Sequence, residues 1–183
     1  MNRNLRIFFY IAILTLSLIW IYFSRIPAET ASASGRIAPH TGFLAPEISL
    51  LDTNGNEITL SELRGHPVII NFWATWCPPC RAEMPAMQRA YKDFEEEGVI
   101  ILAVNSTNQD ALPAVQQFIV EYDISFPVLY DNQGTAANTY QISSLPTTFF
   151  VGKDGVITEV VIGGPMAEAL LRSRIDKMLE GAP

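Results

Sequence analysis

The stretch Val68-Ile69-Ile70-Asn71-Phe72-Trp73-Ala74-Thr75-Trp76-Cys77-Pro78-Pro79-Cys80-Arg81-Ala82-Glu83-Met84-Pro85 decides the reading of this chain. Its first six residues are apolar and mostly β-branched or aromatic, broken only by Asn71, as expected of a strand buried on both faces of a sheet. The run leads into Cys77 and Cys80, the only 2 cysteines of the chain. Beyond them Met84, Met87, Tyr91 and Phe94 recur at spacings of 3, 4 and 3, so residues 81–97 are expected to form a helix with one apolar face. Met84 and Met87 on that face read as core.

A structural disulfide stabilises by closing a loop, and a loop of four residues restrains the unfolded chain very little. Stability is therefore a poor reason for this pair. If Cys77 caps the helix that follows the strand, residues i and i+3 share a face at a bridgeable separation. The positive end of the helix dipole would then favour a Cys77 thiolate. A C-x-x-C pair is also half of a zinc site, but the two further ligands would have to be His40 and His66, both upstream. The favoured reading is a redox dithiol, with no metal. The two residues between the cysteines are proline and donate no N–H, which deprives a thiolate of two stabilising donors. Glu83, three residues past Cys80, would add a negative charge or a desolvated carboxyl, and either disfavours thiolate. Both features point to a reducing couple. The plainer alternative for Glu83 is a solvated first-turn carboxylate. Pro85 is expected to kink the helix and free a carbonyl near that carboxyl.

Working outward, residues 99–104 read as another buried strand, 110–122 as an amphipathic helix and 126–130 as a strand. Residues 134–141 read as a short helix, 147–162 as a hairpin around Lys153-Asp154-Gly155, and 166–179 as a terminal helix. Upstream, Asn54-Gly55 between apolar stretches suggests a two-residue type I′ hairpin within 47–60, and residues 61–65 one capped helical turn. The fold class is α/β: a central mixed sheet with helices on both faces and an extra N-terminal hairpin.

The chain of 183 residues has room for one such domain, and its composition, 49% hydrophobic and 17% charged, excludes wholesale disorder, collagen and a disulfide-stapled mini-protein. The net charge of −7 divides into +3 over residues 1–36 and −10 over the remainder. An acidic body of this kind is a poor nucleic-acid binder, and no nucleic-acid partner is expected. Residues 7–23 carry no charge, and the 18 residues between Arg6 and Arg25 would rise roughly 27 Å as a helix, just short of the ~30 Å hydrocarbon core. Residues 7–24 are therefore expected to be a signal-anchor transmembrane helix, with Trp20 and Tyr22 as interfacial aromatics. Arg3 and Arg6 would keep residues 1–6 cytoplasmic and place the body on the extracytoplasmic side. Ala31-Ser32-Ala33 offers the alternative of a cleaved signal peptide. Residues 25–42 read as a flexible linker and 43–183 as the catalytic domain.

Ala45-Pro46-Glu47, the segment 60–65, residues 71–85 and Leu145-Pro146-Thr147-Thr148-Phe149-Phe150 together resemble the membrane-anchored TlpA/ResA family of thiol-disulfide oxidoreductases. The resemblance spans residues 42–180 and implies a thioredoxin-like fold. It implies that Cys77 attacks a substrate disulfide, that Cys80 resolves the mixed disulfide, and that a partly buried Glu83 modulates their acid-base chemistry. It implies a cis Pro146 facing the dithiol, main-chain groups of Leu145 offered to an extended substrate, and Trp76 as a wall of the site. The only redox centre implied is the Cys77–Cys80 disulfide, without a further cofactor. The implied client is apocytochrome c, at the disulfide of its haem-attachment motif, and the implied electron source is a polytopic membrane relay protein. The Pro78-Pro79 pair departs from relatives that carry another residue at the first position, so potential and substrate do not transfer directly. Ser144 also stands where relatives vary. Competing readings are a disulfide oxidase or isomerase of the same fold, a thiol peroxidase, and a non-enzymatic binding module.

Overall fold

The structure, a computed structural model, describes residues 12–17, Trp20 and residues 35–181. The chain divides into two units, Met1–Ala33 and Ser34–Pro183. In the first, the described residues are helical. No helix among the described residues is long and apolar enough to cross a membrane, and most of the span expected at residues 7–24 lies outside them. So do the expected cytoplasmic residues 1–6 and the start of the linker.

The second unit is built on a five-stranded mixed sheet. Strands β3 (Val68–Trp73), β4 (Ile100–Asn105) and β5 (Val128–Tyr130) run parallel, while β6 (Thr147–Val151) and β7 (Ile157–Ile162) are antiparallel, in the order β5-β4-β3-β6-β7. A separate two-stranded sheet joins β1 (Ser49–Leu51) to β2 (Glu57–Thr59). The helices are α1 (Pro78–Phe94), α2 (Leu112–Glu121), α3 (Thr135–Thr139) and α4 (Glu168–Glu180). This is the expected α/β architecture with its N-terminal hairpin.

All six residues of β3 are buried, and their alternation sorts the core into two layers. Ile69 and Trp73 pack with Met84, Met87, Val115, Phe118, Leu171 and Ile175, beneath α1, α2 and α4. Val68, Ile70 and Phe72 pack on the other face with Ile48, Leu60, Leu129, Tyr140 and Phe149, beneath the hairpin and α3. Asn71 shares the face of Ile69 and Trp73 by register, which turns a buried amide toward α1.

Local chemistry altered three expectations. Asn54-Gly55 does not form a two-residue type I′ turn. The loop runs from Asp52 to Asn56 because the Asp52 carboxylate accepts from the N–H groups of Asn54 and Asn56, both at 2.8 Å, and only Gly55 has positive φ. The turn after β2 is a 3-10 helix, Leu60–Leu63, and its N–H donor at Ser61 is met by the Glu47 carboxylate at 3.0 Å rather than by a cap from its own segment. The folded unit also starts before residue 43. Leu44 donates to the Arg36 carbonyl at 2.9 Å and Gly42 to the Ile157 carbonyl at 2.8 Å, so residues 36–42 are tied to the edge of the sheet instead of forming linker.

Candidate active site

Helix α1 begins at Pro78, earlier than its apolar periodicity indicates. Pro78 and Pro79 occupy its first turn, where a fixed φ suits the helix and a missing N–H costs nothing. Cys77 is the N-cap and its Sγ accepts from the Cys80 N–H at 3.3 Å, the one donor of that turn that the prolines leave in place. Cys77 and Cys80 form a disulfide, and the chain has no other cysteine. Cys80 is 0% exposed and Cys77 3%. Only Cys77 lines the adjoining cleft, so an attacking group reaches the pair from that side.

The cleft has a volume of about 340 Å³. Trp76, Ser106, Gln109, Ser144 and Leu145 are among its walls, and among the described residues none that lines it is charged. Trp76 is 54% exposed and is not a core aromatic; its indole N–H donates to the Gln109 carbonyl at 2.9 Å. Leu145 is half-buried and precedes a cis bond to Pro146. A second cis bond, Gly164–Pro165, has no counterpart in the sequence reading.

Glu83 is not the solvated carboxylate of the plainer alternative, being 1% exposed. Its Oε1 accepts from the Asn71 amide at 2.9 Å and its Oε2 from the Met166 N–H at 3.0 Å. Burial pushes the Glu83 carboxyl above its ordinary range, and those two donors oppose the rise without cancelling it. Asn71 also donates to Thr148 Oγ1 at 2.9 Å, while its own Oδ1 is a buried acceptor without a partner among the described residues. Helix α1 continues past Pro85, which has no N–H to offer the Arg81 carbonyl.

Residues 163–166 run against the Glu83 carboxyl. A Cβ on Gly164 would stand 2.7 Å from Glu83 Oε2 and 2.7 Å from Pro146 Cγ, so only glycine lets the chain pass between the carboxyl and the cis proline. Gly164 thereby stands beside both Glu83 and Pro146, while Trp76, Cys77 and Leu145 line the cleft. Asn71, Gly164 and Met166 were not singled out in the sequence. Asn71 carried a usable signal, since a polar side chain in a strand buried on both faces requires a partner.

The segment before Cys77 is also held. The Asp110 carboxylate accepts from Thr75 N at 2.7 Å, Thr75 Oγ1 at 2.6 Å, Asn105 Nδ2 at 3.0 Å and Ala111 N at 2.9 Å. Despite desolvation, these donors hold Asp110 below the ordinary carboxylate range. Arg81 lies over the rings of Phe118 and Tyr122 and donates to the Thr75 carbonyl at 3.4 Å.

A helix-capping disulfide at the end of a central strand, open to a cleft on one side, is built for dithiol–disulfide exchange and defines a thiol-disulfide oxidoreductase of thioredoxin-like fold. The sequence model of the AhpC/TSA family matches residues 41–160. The thiol-disulfide oxidoreductase ResA of Bacillus subtilis (strain 168) is 38% identical over 148 residues, 81% of each chain. Among solved structures, StoA from Bacillus subtilis is 29% identical with a TM-score of 0.63, covering 71% of this chain and 96% of that one. A Chlorobium tepidum protein described as a thiol:disulfide interchange protein DsbE is 27% identical with a TM-score of 0.70, covering 76% and 98%. The chain belongs to the AhpC/TSA family and, within it, to the ResA-like thiol-disulfide oxidoreductases. It is an enzyme acting on protein disulfides.

Proposed function

We propose that this protein is an extracytoplasmic reductant, anchored through residues 7–24, whose client is the haem-attachment disulfide of apocytochrome c. The Cys77 thiolate attacks one sulfur of the client disulfide, forming a mixed disulfide and releasing the first client thiolate. Cys80, deprotonated, then attacks Cys77 Sγ, the second client thiolate leaves, and the two electrons have passed to the client. The enzyme ends as the Cys77–Cys80 disulfide. Glu83 takes part in the proton transfers of the dithiol, Trp76 walls the site, and Leu145 beside Pro146 offers main-chain groups to an extended client segment. Recharging requires a dithiol donor on the same side of the membrane, for which a polytopic relay protein is the candidate.

The observation that carries the reading is the buried Glu83 carboxyl behind a helix start with two prolines. One N–H donor remains for a Cys77 thiolate, and a thiolate with little support makes the reduced pair a good electron donor. The experiment is the midpoint potential of the Cys77/Cys80 couple in the full chain. A value near or below roughly −230 mV supports a reductant, and one near ~−120 mV overturns it in favour of an oxidase. A Cys80→Ser variant should then accumulate a mixed disulfide with a peptide carrying the oxidised haem-attachment motif. Failure to accumulate it, with the potential low, would move the client elsewhere in the envelope.

A further inference from the structure

The two residues preceding Cys77 are fastened to a loop from another part of the chain. Asp110 lies just past the 3-10 turn Thr107–Gln109 that follows β4. Its four accepted hydrogen bonds reach the main chain and side chain of Thr75, the β4 terminus at Asn105, and the entry to α2 at Ala111. One residue away, the Gln109 carbonyl receives the Trp76 indole N–H. Ser106 N–H donates to the Trp73 carbonyl at 3.0 Å, so the same loop meets the strand end at Trp73, Thr75 and Trp76 in succession.

This arrangement exceeds what the fold alone requires. Trp76 is a large aromatic, 54% exposed, so burial holds it only in part. Its position depends on one hydrogen bond to a loop that is itself held by Asp110. Trp76, Ser106 and Gln109 are all walls of the cleft beside Cys77. A carboxylate suits the role because its two oxygens accept all four bonds at once, whereas an amide in its place would turn a donor toward one pair of those groups.

We propose that Asp110 is a positioning residue for disulfide exchange, latching Thr75 and Trp76 so that the indole stands as the fixed wall against which a protein client lies when it reaches Cys77. The inference rests on exchange at Cys77 and not on which protein is the client.

The test uses the reduced full chain and two oxidants: a peptide of about ten residues closed by a disulfide that the parent protein turns over, and 2,2′-dithiodipyridine, which is too small to span the cleft. Turnover of the peptide by the parent tests the exchange reading itself, and the variants test the latch. In Asp110→Ala the rate constant with the peptide should fall about tenfold, and the fall with dithiodipyridine should be several times smaller. In a Trp76→Phe background the further loss on adding Asp110→Ala should shrink to less than threefold, because both changes remove the same wall. Trp76 emission, taken as the difference between parent and Trp76→Phe spectra, should shift to the red in Asp110→Ala. Should Asp110→Ala unfold, Thr75→Val removes one of the four bonds and should produce the same pattern at smaller amplitude. Equal losses with both oxidants, or an undiminished loss in the Trp76→Phe background, would overturn the proposal. So would an unchanged peptide rate with unchanged emission.

Discussion

Gly164→Ala is the most demanding test of the sealed side of the site. The added Cβ would lie 2.7 Å from Glu83 Oε2, 2.7 Å from Pro146 Cγ and 3.3 Å from Pro146 Cδ. Ordinary van der Waals contact begins near 3.4 Å, so something must retreat by roughly 0.7 Å. Pro146 is held through its carbonyl, which accepts from Gly163 N at 2.8 Å, and it leads directly into β6. Glu83 can retreat only by stretching its 3.0 Å bond from Met166 N. Overpacking of this kind costs about 1–3 kcal/mol, and weakening a hydrogen bond to a buried carboxyl adds about 1–2 kcal/mol. For a domain of this size the sum corresponds to a fall in melting temperature of about 5–15 °C.

The assay is thermal unfolding of the oxidised full chain, followed by near-UV circular dichroism, for the parent, Gly164→Ala, Glu83→Ala and the double variant. Truncating Glu83 removes one wall of the clash, so the penalty of Gly164→Ala should fall by more than half in that background. A Gly164→Ala protein melting within about 2 °C of the parent would refute the close approach. Strictly additive penalties would place the clash elsewhere than at Glu83.

Other perturbations follow from the same structure. Because the Glu83 carboxyl is raised in the folded protein, the folded state binds more protons than the unfolded one. Its contribution to stability is therefore full at low pH and lost as pH rises from the ordinary carboxylate value through the raised one. Denaturation of the parent minus Glu83→Gln across pH should show that decline, and a difference curve that is flat or rises through the window would contradict the burial argument. The Gln amide should be accommodated, because Asn71 can turn its partnerless Oδ1 toward it, so a loss beyond about 3 kcal/mol above pH 8 would count against the pairing. Tyr140→Phe removes the hydroxyl that donates to the buried Pro46 carbonyl at 2.6 Å and should cost about 1–2 kcal/mol in urea; no change would mean that carbonyl finds another donor. Asp52→Ala releases both N–H groups that shape the β1–β2 loop and should cost about 1 kcal/mol, with amide exchange quickening at Asn54 and Asn56 rather than in β3.

The central strand and the dithiol were legible because each is a local pattern. A short β-branched and aromatic run broken only by Asn71 reads as a strand covered on both faces, and a four-residue disulfide loop makes little sense as a staple. Apolar periodicity made the body of helix α1 legible only from Met84 onward, but its start was legible from the chemistry of the pair, since Cys77 is the N-cap that the cysteine spacing suggested and the two prolines fill the first turn. The type I′ hairpin failed for a different reason: Asn54-Gly55 is a real turn signal, but Asp52 two residues before it captures the same backbone with its carboxylate. The sealed side of the site was the least legible part. Glu83 is separated from Met166 by 83 positions and from Asn71 by 12, and neither separation leaves a mark in a single sequence. Gly164 approaches Pro146 only once β6 and β7 have paired.

Two unlike groups of residues thus surround the dithiol helix, one about the Glu83 carboxyl and one about the cleft, and the division predicts how defects should sort. In the first group Asn71, Gly164 and Met166 all touch Glu83, so a change in any of them alters either the solvation or the hydrogen bonds of one carboxyl. Their effects should therefore register as shifts in pH dependence and in the potential of the couple. In the other group Trp76, Ser144 and Leu145 line the cleft to which Cys77 also contributes. Changes there alter what lies against the sulfur and leave the carboxyl untouched, so they should register as client affinity and as the ratio between large and small disulfides. Asp110 is charged, yet it belongs with the second set through its bonds to Thr75, the neighbour of Trp76. A potential unmoved in Asp110→Asn beside one displaced in Glu83→Gln would separate the two groups.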